Sequence, residues 1–169
     1  MRRARQLILS LAVLSLFAGL LLSCEDTTFQ SSVPTYPVRL SIDTKVGPFV
    51  HFLPTAQNTY IVVNKDGYFY NGEKVLPLSA MDAYGYGGVV VYVSLNGYDA
   101  YDLACPSCAA HGIRQACEVN GIFATCPHCG EEYDLGSGYA MPQHSIAHEA
   151  LRRLNIMQSD GKLTITQKQ

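Results

Sequence analysis

Two short cysteine motifs, Cys105-Pro106-Ser107-Cys108 and Cys126-Pro127-His128-Cys129, decide how the second half of this chain folds. They are separated by 17 residues, and the pattern C-x2-C-x17-C-x2-C lies within the spacing range of four-thiolate metal sites. Two residues between a pair of cysteines let a tight turn point both sulfur atoms at one ion. Two such turns on adjacent loops would close a tetrahedron around zinc, with metal–sulfur bonds of about 2.3 Å, or hold a [2Fe–2S] cluster with two thiolates per iron.

The beginning of the chain predicts export and lipid attachment. Three of the first five residues are arginine, and residues 7–22 form an almost unbroken apolar run. That run has the length of the apolar region of a signal peptide and is too short for a comfortable membrane span. It ends in Leu21-Leu22-Ser23-Cys24, which resembles the lipobox of bacterial lipoproteins. We therefore expect a signal peptide over residues 1–23, acylation of Cys24, and a protein anchored by lipid to a membrane of the bacterial cell envelope, periplasmic or surface-exposed.

The expected mature chain contains one domain. Residues 24–37 are polar and end in two prolines, so they are predicted to form a flexible tether, and residues 38–169 form the domain. The mature chain has 9 basic and 14 acidic residues, a net charge of −5. Because it has no basic stripe, nucleic acid is not an expected partner.

Apolar periodicity and turn signals predict an all-β domain with short strands. Residues 38–42 alternate with period two, and the apolar run Val89–Val93 suits a buried strand. Asn71-Gly72 is a strong hairpin signal. Residues 163–167 are expected to close the chain as an edge strand, and residues 147–154 to form one or two helical turns. No segment has the long amphipathic periodicity of a full helix.

Disulfides are the alternative to a metal at the two motifs. Cysteine pairs of exported proteins normally oxidise, so bridges within or between the motifs would hold the loops together without an ion. The sequence has six cysteines, of which Cys24 is assigned to lipid and Cys117 lies on one face of a strand predicted over residues 113–119. We expect Cys117 to be a core thiol rather than a ligand.

Two histidines and two glutamates lie close to the motifs. His111 follows Cys108 by three residues and His128 lies inside the second motif, so each is a candidate for an alternative ligand or for contact with the ligands. Glu131 and Glu132 follow the second motif and are expected on an exposed turn rather than as a catalytic pair.

The C-terminal half resembles a Rieske-type iron–sulfur domain. In that family a loop with the pattern C-x-H lies opposite a second loop with C-x-x-H, usually within C-P-C-H-G-S-x-F/Y-D. Residues 126–135 (CPHCGEEYDL) are similar to the second loop, and residues 98–106 (YDAYDLACP) to the strand that leads into the first. The resemblance covers roughly residues 38–167. It implies a small Rieske-like antiparallel β-sandwich with a two-loop metal-binding subdomain, whose cluster-binding part covers about residues 98–142.

The resemblance also assigns roles to individual residues. Cys105 and Cys126 stand where the family has its cysteine ligands, and Cys129 stands where it has a histidine. Cys108 lies one residue beyond the other histidine position. Tyr133 matches the tyrosine that supports a cysteine sulfur in the family.

These observations support two functional hypotheses. In the first, Cys105, Cys108, Cys126 and Cys129 bind a [2Fe–2S] cluster, or a single zinc or iron ion, and the domain passes electrons to an unidentified redox or envelope protein. In the second, the domain is a structural zinc or disulfide-linked module for binding or assembly at the envelope. An oxygenase-type enzyme is not expected, because the chain has no separate catalytic domain for a mononuclear iron.

Overall fold

The computed structural model describes residues 31–144 and 149–168. The predicted signal peptide, Cys24 (the residue expected to be acylated) and the first part of the expected tether lie outside the described residues. Residues from Ser31 onwards belong to one unit. Within the described ranges, no helix is long and apolar enough to cross a membrane.

Short β-strands form three antiparallel sheets in the described part of the chain. The first sheet contains β1 (Val38–Asp43), β5 (Ala83–Tyr84), β12 (Asn155–Ser159) and β13 (Lys162–Thr166), in the order β12-β13-β1-β5. The second contains β2 (Tyr60–Asn64), β3 (Gly67–Tyr70), β4 (Glu73–Leu76), β6 (Val89–Ser94) and β7 (Gly97–Asp102), in the order β4-β3-β2-β6-β7. The third contains β8 (Glu118–Asn120), β9 (Phe123–Thr125), β10 (Glu132–Asp134) and β11 (Met141–Pro142), in the order β11-β10-β9-β8. The prediction of an all-β, antiparallel domain is confirmed.

Strand β6 joins two hydrophobic cores because both of its faces are buried. Val89, Val91 and Val93 point into a first core that includes residues of β1, β2 and β13. Val90 and Tyr92 point the other way, into a second core that includes the cysteine loops. The alternation of side chains across a strand sends successive residues to opposite faces, so a continuous apolar run is what a doubly covered strand requires.

The tight turn predicted at Asn71-Gly72 is present, and a second one closes the last hairpin. Asn71 and Gly72 connect β3 to β4 with positive φ angles of 47° and 89°, as a two-residue type I′ hairpin requires. Asp160 and Gly161 connect β12 to β13 with φ angles of 50° and 76°. These turns fix the register of the two hairpins.

Two local predictions near the C-terminus were wrong. The last strand, β13, is not at an edge, since it pairs with β12 on one side and β1 on the other. Residues 149–154 are not helical: the N–H of Leu154 donates to the carbonyl of Ala100 at 2.8 Å, and Arg153 forms an isolated β-bridge with Tyr101. Pairing with β7 therefore determines the conformation of this segment. Residues 147 and 148 lie outside the described part.

The C-terminal part of the expected tether is attached to the domain. Glu149 accepts hydrogen bonds from the hydroxyl of Ser31 at 3.0 Å and from the backbone N–H of Ser32 at 2.8 Å. The side chain of Val33 is 1% exposed, and the ring of Tyr36 packs against that of Tyr86. Residues 31–37 are thus part of the folded unit, and residues 24–30 lie outside the described residues.

Candidate metal centre

The first cysteine loop begins directly after β7. Cys105 precedes a single helical turn, α1 (Pro106–Ala109), in which Pro106 occupies the first turn and Cys108 lies one residue before the end. Proline suits that position because its fixed φ angle matches a helix and it has no N–H to satisfy. The N–H of Ala109 donates to the carbonyl of Cys105 at 2.9 Å. The helical turn brings the two thiols to the same side of the loop.

The second cysteine loop connects β9 to β10. The N–H of Cys126 donates to the carbonyl of Glu131 at 2.8 Å, and the N–H of Gly130 donates to the carbonyl of Cys126 at 2.9 Å. Gly130 has a φ angle of 74°, which glycine adopts without steric cost. The hairpin therefore closes the loop around Cys126 and Cys129.

The structure brings the four motif thiols together. The Sγ atoms of Cys105, Cys108, Cys126 and Cys129 all lie within 4.8 Å of one another. The two nearest pairs each join one loop to the other: Cys105 to Cys129 at 3.7 Å and Cys108 to Cys126 at 3.6 Å. A disulfide bond is about 2.05 Å long, so these are thiols in contact, and the five cysteines of the described residues are all free.

The distances between the sulfur atoms can be compared with those of known kinds of metal centre. In a tetrahedron with metal–sulfur bonds of about 2.3 Å, neighbouring sulfur atoms lie about 3.8 Å apart. A [2Fe–2S] cluster is built from two such tetrahedra sharing an edge, so thiolates on different irons lie about 5.3 to 6.5 Å apart. Because the four Sγ atoms lie within 4.8 Å, the donor set fits one tetrahedral ion in its present geometry. Three of the four cysteines are buried and Cys129 is exposed.

Three of the four thiols have shifted pKa values. A hydrogen bond with Cys117 lowers the pKa of Cys105 to about 4, desolvation opposes this, and the hydroxyl of Tyr133 and the backbone N–H of Cys108 add to the lowering. Desolvation raises the pKa of Cys108 and of Cys129. Of these three thiols, Cys105 therefore loses its proton first, and the positive charge of a metal favours the deprotonation of Cys108 and Cys129.

Tyr133 lies against one of the four thiols. Its side chain is fully buried, and its hydroxyl oxygen lies 3.4 Å from the Sγ atom of Cys105. Burial raises the pKa of Tyr133, so the hydroxyl stays protonated and donates to the more acidic thiol. This contact has the form that the resemblance assigned to Tyr133.

The two candidate histidines are not placed as ligands. His111 and His128 are exposed on the turns that carry the cysteines, and neither belongs to the group of ligand atoms within 4.8 Å of one another. Four thiols already supply a full tetrahedral set, so an imidazole has no position to occupy.

A buried carboxylate holds the first loop in place, and the sequence did not point to it. Asp102 accepts hydrogen bonds from the backbone N–H groups of Tyr86 at 2.7 Å, Gly87 at 2.8 Å and Ala104 at 2.9 Å. Gly87 lies so close to the first loop that a Cβ atom there would be 2.2 Å from the backbone nitrogen of Ala104. The Gly-rich segment before β6 (Gly85–Gly88) thus packs against the backbone that leads into Cys105.

Cys117 is a core thiol, as expected, but it also touches the site. It is 4% exposed and belongs to the same hydrophobic core as the ligand cysteines. The strand predicted over residues 113–119 is shorter than expected, since β8 begins at Glu118. Ala116 instead forms a bridge with Ala104, and this pairing places Cys117 beside Cys105.

The expectation that Glu131 lies on an exposed turn was wrong. Its side chain is buried, and Oε1 accepts a hydrogen bond from the backbone N–H of His144 at 2.8 Å. Glu131 therefore attaches the segment after β11 to the second cysteine loop. Glu132 lies in β10 and is half-buried.

Comparisons with known proteins add little to this description. No family model matches the chain, and no curated protein matches it. Among solved structures, it is similar to a chain of the complex of reduced oxygenase and oxidized ferredoxin in carbazole 1,9a-dioxygenase, with 16% sequence identity and a TM-score of 0.43. The match covers 78% of this chain and 96% of that one. A likeness at this level supports no inference about function.

The sheets and the site agree with the family resemblance. The antiparallel β architecture and the four-cysteine group on two loops are consistent with a Rieske-like domain. The site itself supports metal binding.

Proposed function

We propose that this domain binds one tetrahedral metal ion through Cys105, Cys108, Cys126 and Cys129, and that the ion holds together the two loops of a binding or assembly module. The observation that carries the proposal is the spacing of the four Sγ atoms, all within 4.8 Å of one another. This spacing fits a single ion better than a two-iron cluster. The sequence is compatible with either zinc or iron as the single ion. Zinc binds such a site more tightly than ferrous iron does.

A structural role follows from the coordination and from the small size of the third sheet. Four protein thiolates leave no open position for a substrate, in contrast to catalytic zinc sites, which keep one. The third sheet has strands of two or three residues, so few backbone hydrogen bonds hold it together. An ion that joins the two loops would link this sheet to the first cysteine loop.

Electron transfer is the second candidate, and a specific contact favours it. The hydroxyl of Tyr133 lies 3.4 Å from the Sγ atom of Cys105, and hydrogen bonds to ligand sulfurs tune the potentials of iron–sulfur centres. Cys129 is exposed, so a redox partner could approach one ligand directly. If iron is bound, it supplies one-electron redox chemistry; the chain's own contribution is the hydrogen bond to Cys105 and the burial of three ligands.

Export and lipid anchoring remain part of the proposal. The basic start, the apolar run and the Leu-Leu-Ser-Cys24 sequence support attachment to a membrane of the bacterial cell envelope. In this proposal the partner is a membrane-associated or surface protein.

Metal and sulfide analysis tests the proposal directly. The full chain is purified anaerobically from membranes, and zinc, iron and acid-labile sulfide are measured together with the visible spectrum. We expect one zinc ion per chain, no labile sulfide and no visible absorption. One iron per chain with visible absorption would select electron transfer through a single ion. Two irons and two sulfides per chain would reject the single-ion site.

A further inference from the structure

A groove lies beside the metal centre. It has a volume of about 850 Å³, within the range of small-molecule sites. One wall is formed by β2 and β3, and the other by residues 114–119, the segment between the two cysteine loops. Cys117 lies in that second wall, so the groove and the metal centre share a structural element.

Aromatic rings line much of this groove. They belong to Tyr60, Phe69, Tyr84 and Tyr86, and all four side chains are half-buried. The hydroxyl of Tyr60 donates to the carbonyl of Val119 at 3.3 Å, which links the two walls. Half-buried rings keep part of their apolar surface accessible to a ligand, although the Arg114 guanidinium lies over the ring of Tyr86.

The groove is also lined by four charged side chains, whose charges cancel. They are Lys65, Asp66, Arg114 and Glu118. Arg114 is fixed in place, since its Nε and Nη2 atoms donate to the carbonyl of Tyr86 at 3.0 and 2.7 Å and its guanidinium lies 4.7 Å from the ring centre of Tyr86. The balance of two cations and two anions favours a ligand without net charge.

From this arrangement we infer that the groove binds a neutral carbohydrate. The C–H faces of a sugar ring pack on the negative faces of aromatic rings, and each hydroxyl group both donates and accepts hydrogen bonds. Such groups can satisfy the carboxylates of Asp66 and Glu118 as well as the donors of Lys65 and Arg114. A proline-rich peptide, the other common ligand of aromatic grooves, lacks N–H donors at its prolines and would offer fewer hydrogen bonds to Asp66 and Glu118.

Calorimetry on the metal-loaded full chain tests the inference. The detergent must have no sugar headgroup, because such a headgroup would compete for the groove. The probes are cellotetraose and maltotetraose, tetragalacturonate as a charged counterpart, and a proline-rich decapeptide. We expect one of the neutral tetrasaccharides to bind with a dissociation constant of about 1 mM or below, and the charged counterpart and the peptide to bind more weakly.

Substitutions separate groove binding from binding elsewhere. Phe69→Ala and Tyr84→Ala each remove one ring face and should weaken tetrasaccharide binding about three- to tenfold. The control is Tyr139→Ala, since Tyr139 is an exposed aromatic residue outside the groove and its removal should leave affinity unchanged.

A measurement on the unmutated protein keeps the test valid if a variant does not fold. Backbone amide shifts in the NMR spectrum should change on sugar addition at Val62 and Gly72, which line the groove. Absence of binding by both neutral tetrasaccharides, shift changes confined to other surfaces, or preferential binding of the peptide would each overturn the inference. Metal content is measured in the same samples, so a failure of the metal proposal is recognised separately.

Discussion

At the residue scale, the sulfur atom of Cys105 is where the two loops and β10 meet. It faces Cys129 of the second loop at 3.7 Å and the hydroxyl of Tyr133 at 3.4 Å. Cys117 contributes the strongest of the effects that lower its pKa. Substitutions at these positions therefore separate ligands from residues that only support them.

The four ligand cysteines should act as a unit. Cys105→Ala or Cys129→Ala leaves three thiols that cannot close a tetrahedron, so each should abolish metal binding and lower the free energy of unfolding by about 3 kcal/mol or more. Metal analysis and urea unfolding measure both effects. Cys117→Ala is the matched control and should retain metal at neutral pH with a stability loss of about 1 kcal/mol. Equal metal loss from Cys117→Ala would place that thiol among the ligands.

Tyr133→Phe tests the hydrogen bond to Cys105. The variant keeps the buried ring and removes only the hydroxyl, whose bond to sulfur is worth about 0.5–1.5 kcal/mol. We expect metal to remain bound but to be lost to a competing chelator at about two- to tenfold lower chelator concentration. The same chelator competition curve for variant and parent would show that the hydroxyl does not support the ligand.

The pH at which metal is released should depend on Cys117. Because the pKa of Cys105 is lowered to about 4, its thiolate persists as the pH falls and is lost only as the pH passes through about 4. Metal retention needs all four thiolates, and desolvation raises the pKa of Cys108 and Cys129, so the release midpoint reflects the protonation of several thiols together. Cys117→Ala removes the main cause of the lowering, and a lost hydrogen bond of about 1 kcal/mol corresponds to a rise of about 0.7 in the pKa of Cys105. The release midpoint should rise by a smaller amount, because the other ligand thiols are unchanged. Acid titration with a metal indicator measures it, and an unshifted midpoint would contradict the assignment.

At the element scale, the Gly-rich segment before β6 supports the first cysteine loop. Asp102 at the end of β7 binds the N–H groups of this segment and of Ala104 together. The position of the first cysteine loop is therefore set by β6 and β7. These strands belong to the second sheet, whereas the second cysteine loop is carried by the third sheet. The metal centre consequently depends on the packing of two sheets.

Gly87→Ala should disturb the metal centre without touching a ligand. The added Cβ would lie 2.2 Å from the nitrogen of Ala104, so the first loop must move away from the second. We expect a stability loss of about 2 kcal/mol and weaker metal binding in chelator competition. Gly136→Ala is the control, because the nearest atom to its Cβ would be a side-chain oxygen of Asp134 at 3.3 Å. Similar losses from both variants would argue against a specific role for Gly87.

At the scale of the whole molecule, the first described residues belong to the domain. Ser31 and Ser32 bind Glu149, and Val33 is buried. Of the expected tether over residues 24–37, residues 31–37 are therefore part of the folded unit.

Cys24→Ala tests the anchor. Without the thiol, no acyl chain can be attached, and an unlipidated precursor that keeps residues 1–23 should accumulate. Mass spectrometry of the parent protein should show acylated Cys24 as the first residue. A variant that incorporates labelled fatty acid as the parent does, or that is cleaved at the same position, would contradict the lipobox interpretation.

Much of the fold follows from local sequence. Strand β6 was recognisable because a run of five apolar residues, Val89–Val93, suits a strand buried on both faces. The turn at Asn71-Gly72 was recognisable because only certain residues adopt positive φ at low cost. The two cysteine motifs were recognisable because their spacing suits a turn that points both thiols in one direction. In each case the determining interaction lies within a few residues of the chain.

Contacts between distant segments decided the rest. The conformation of residues 149–154 depends on pairing with β7, and the position of β13 inside its sheet depends on β1, more than 110 residues earlier in the chain. The sequence left histidines, disulfides and a two-iron cluster open at the site. Only the packing of the two loops shows that four Sγ atoms lie within 4.8 Å, with His111 and His128 turned to solvent. Spacing along a chain determines which residues can form a turn, whereas the distance between two turns is set by the sheets and cores that carry them.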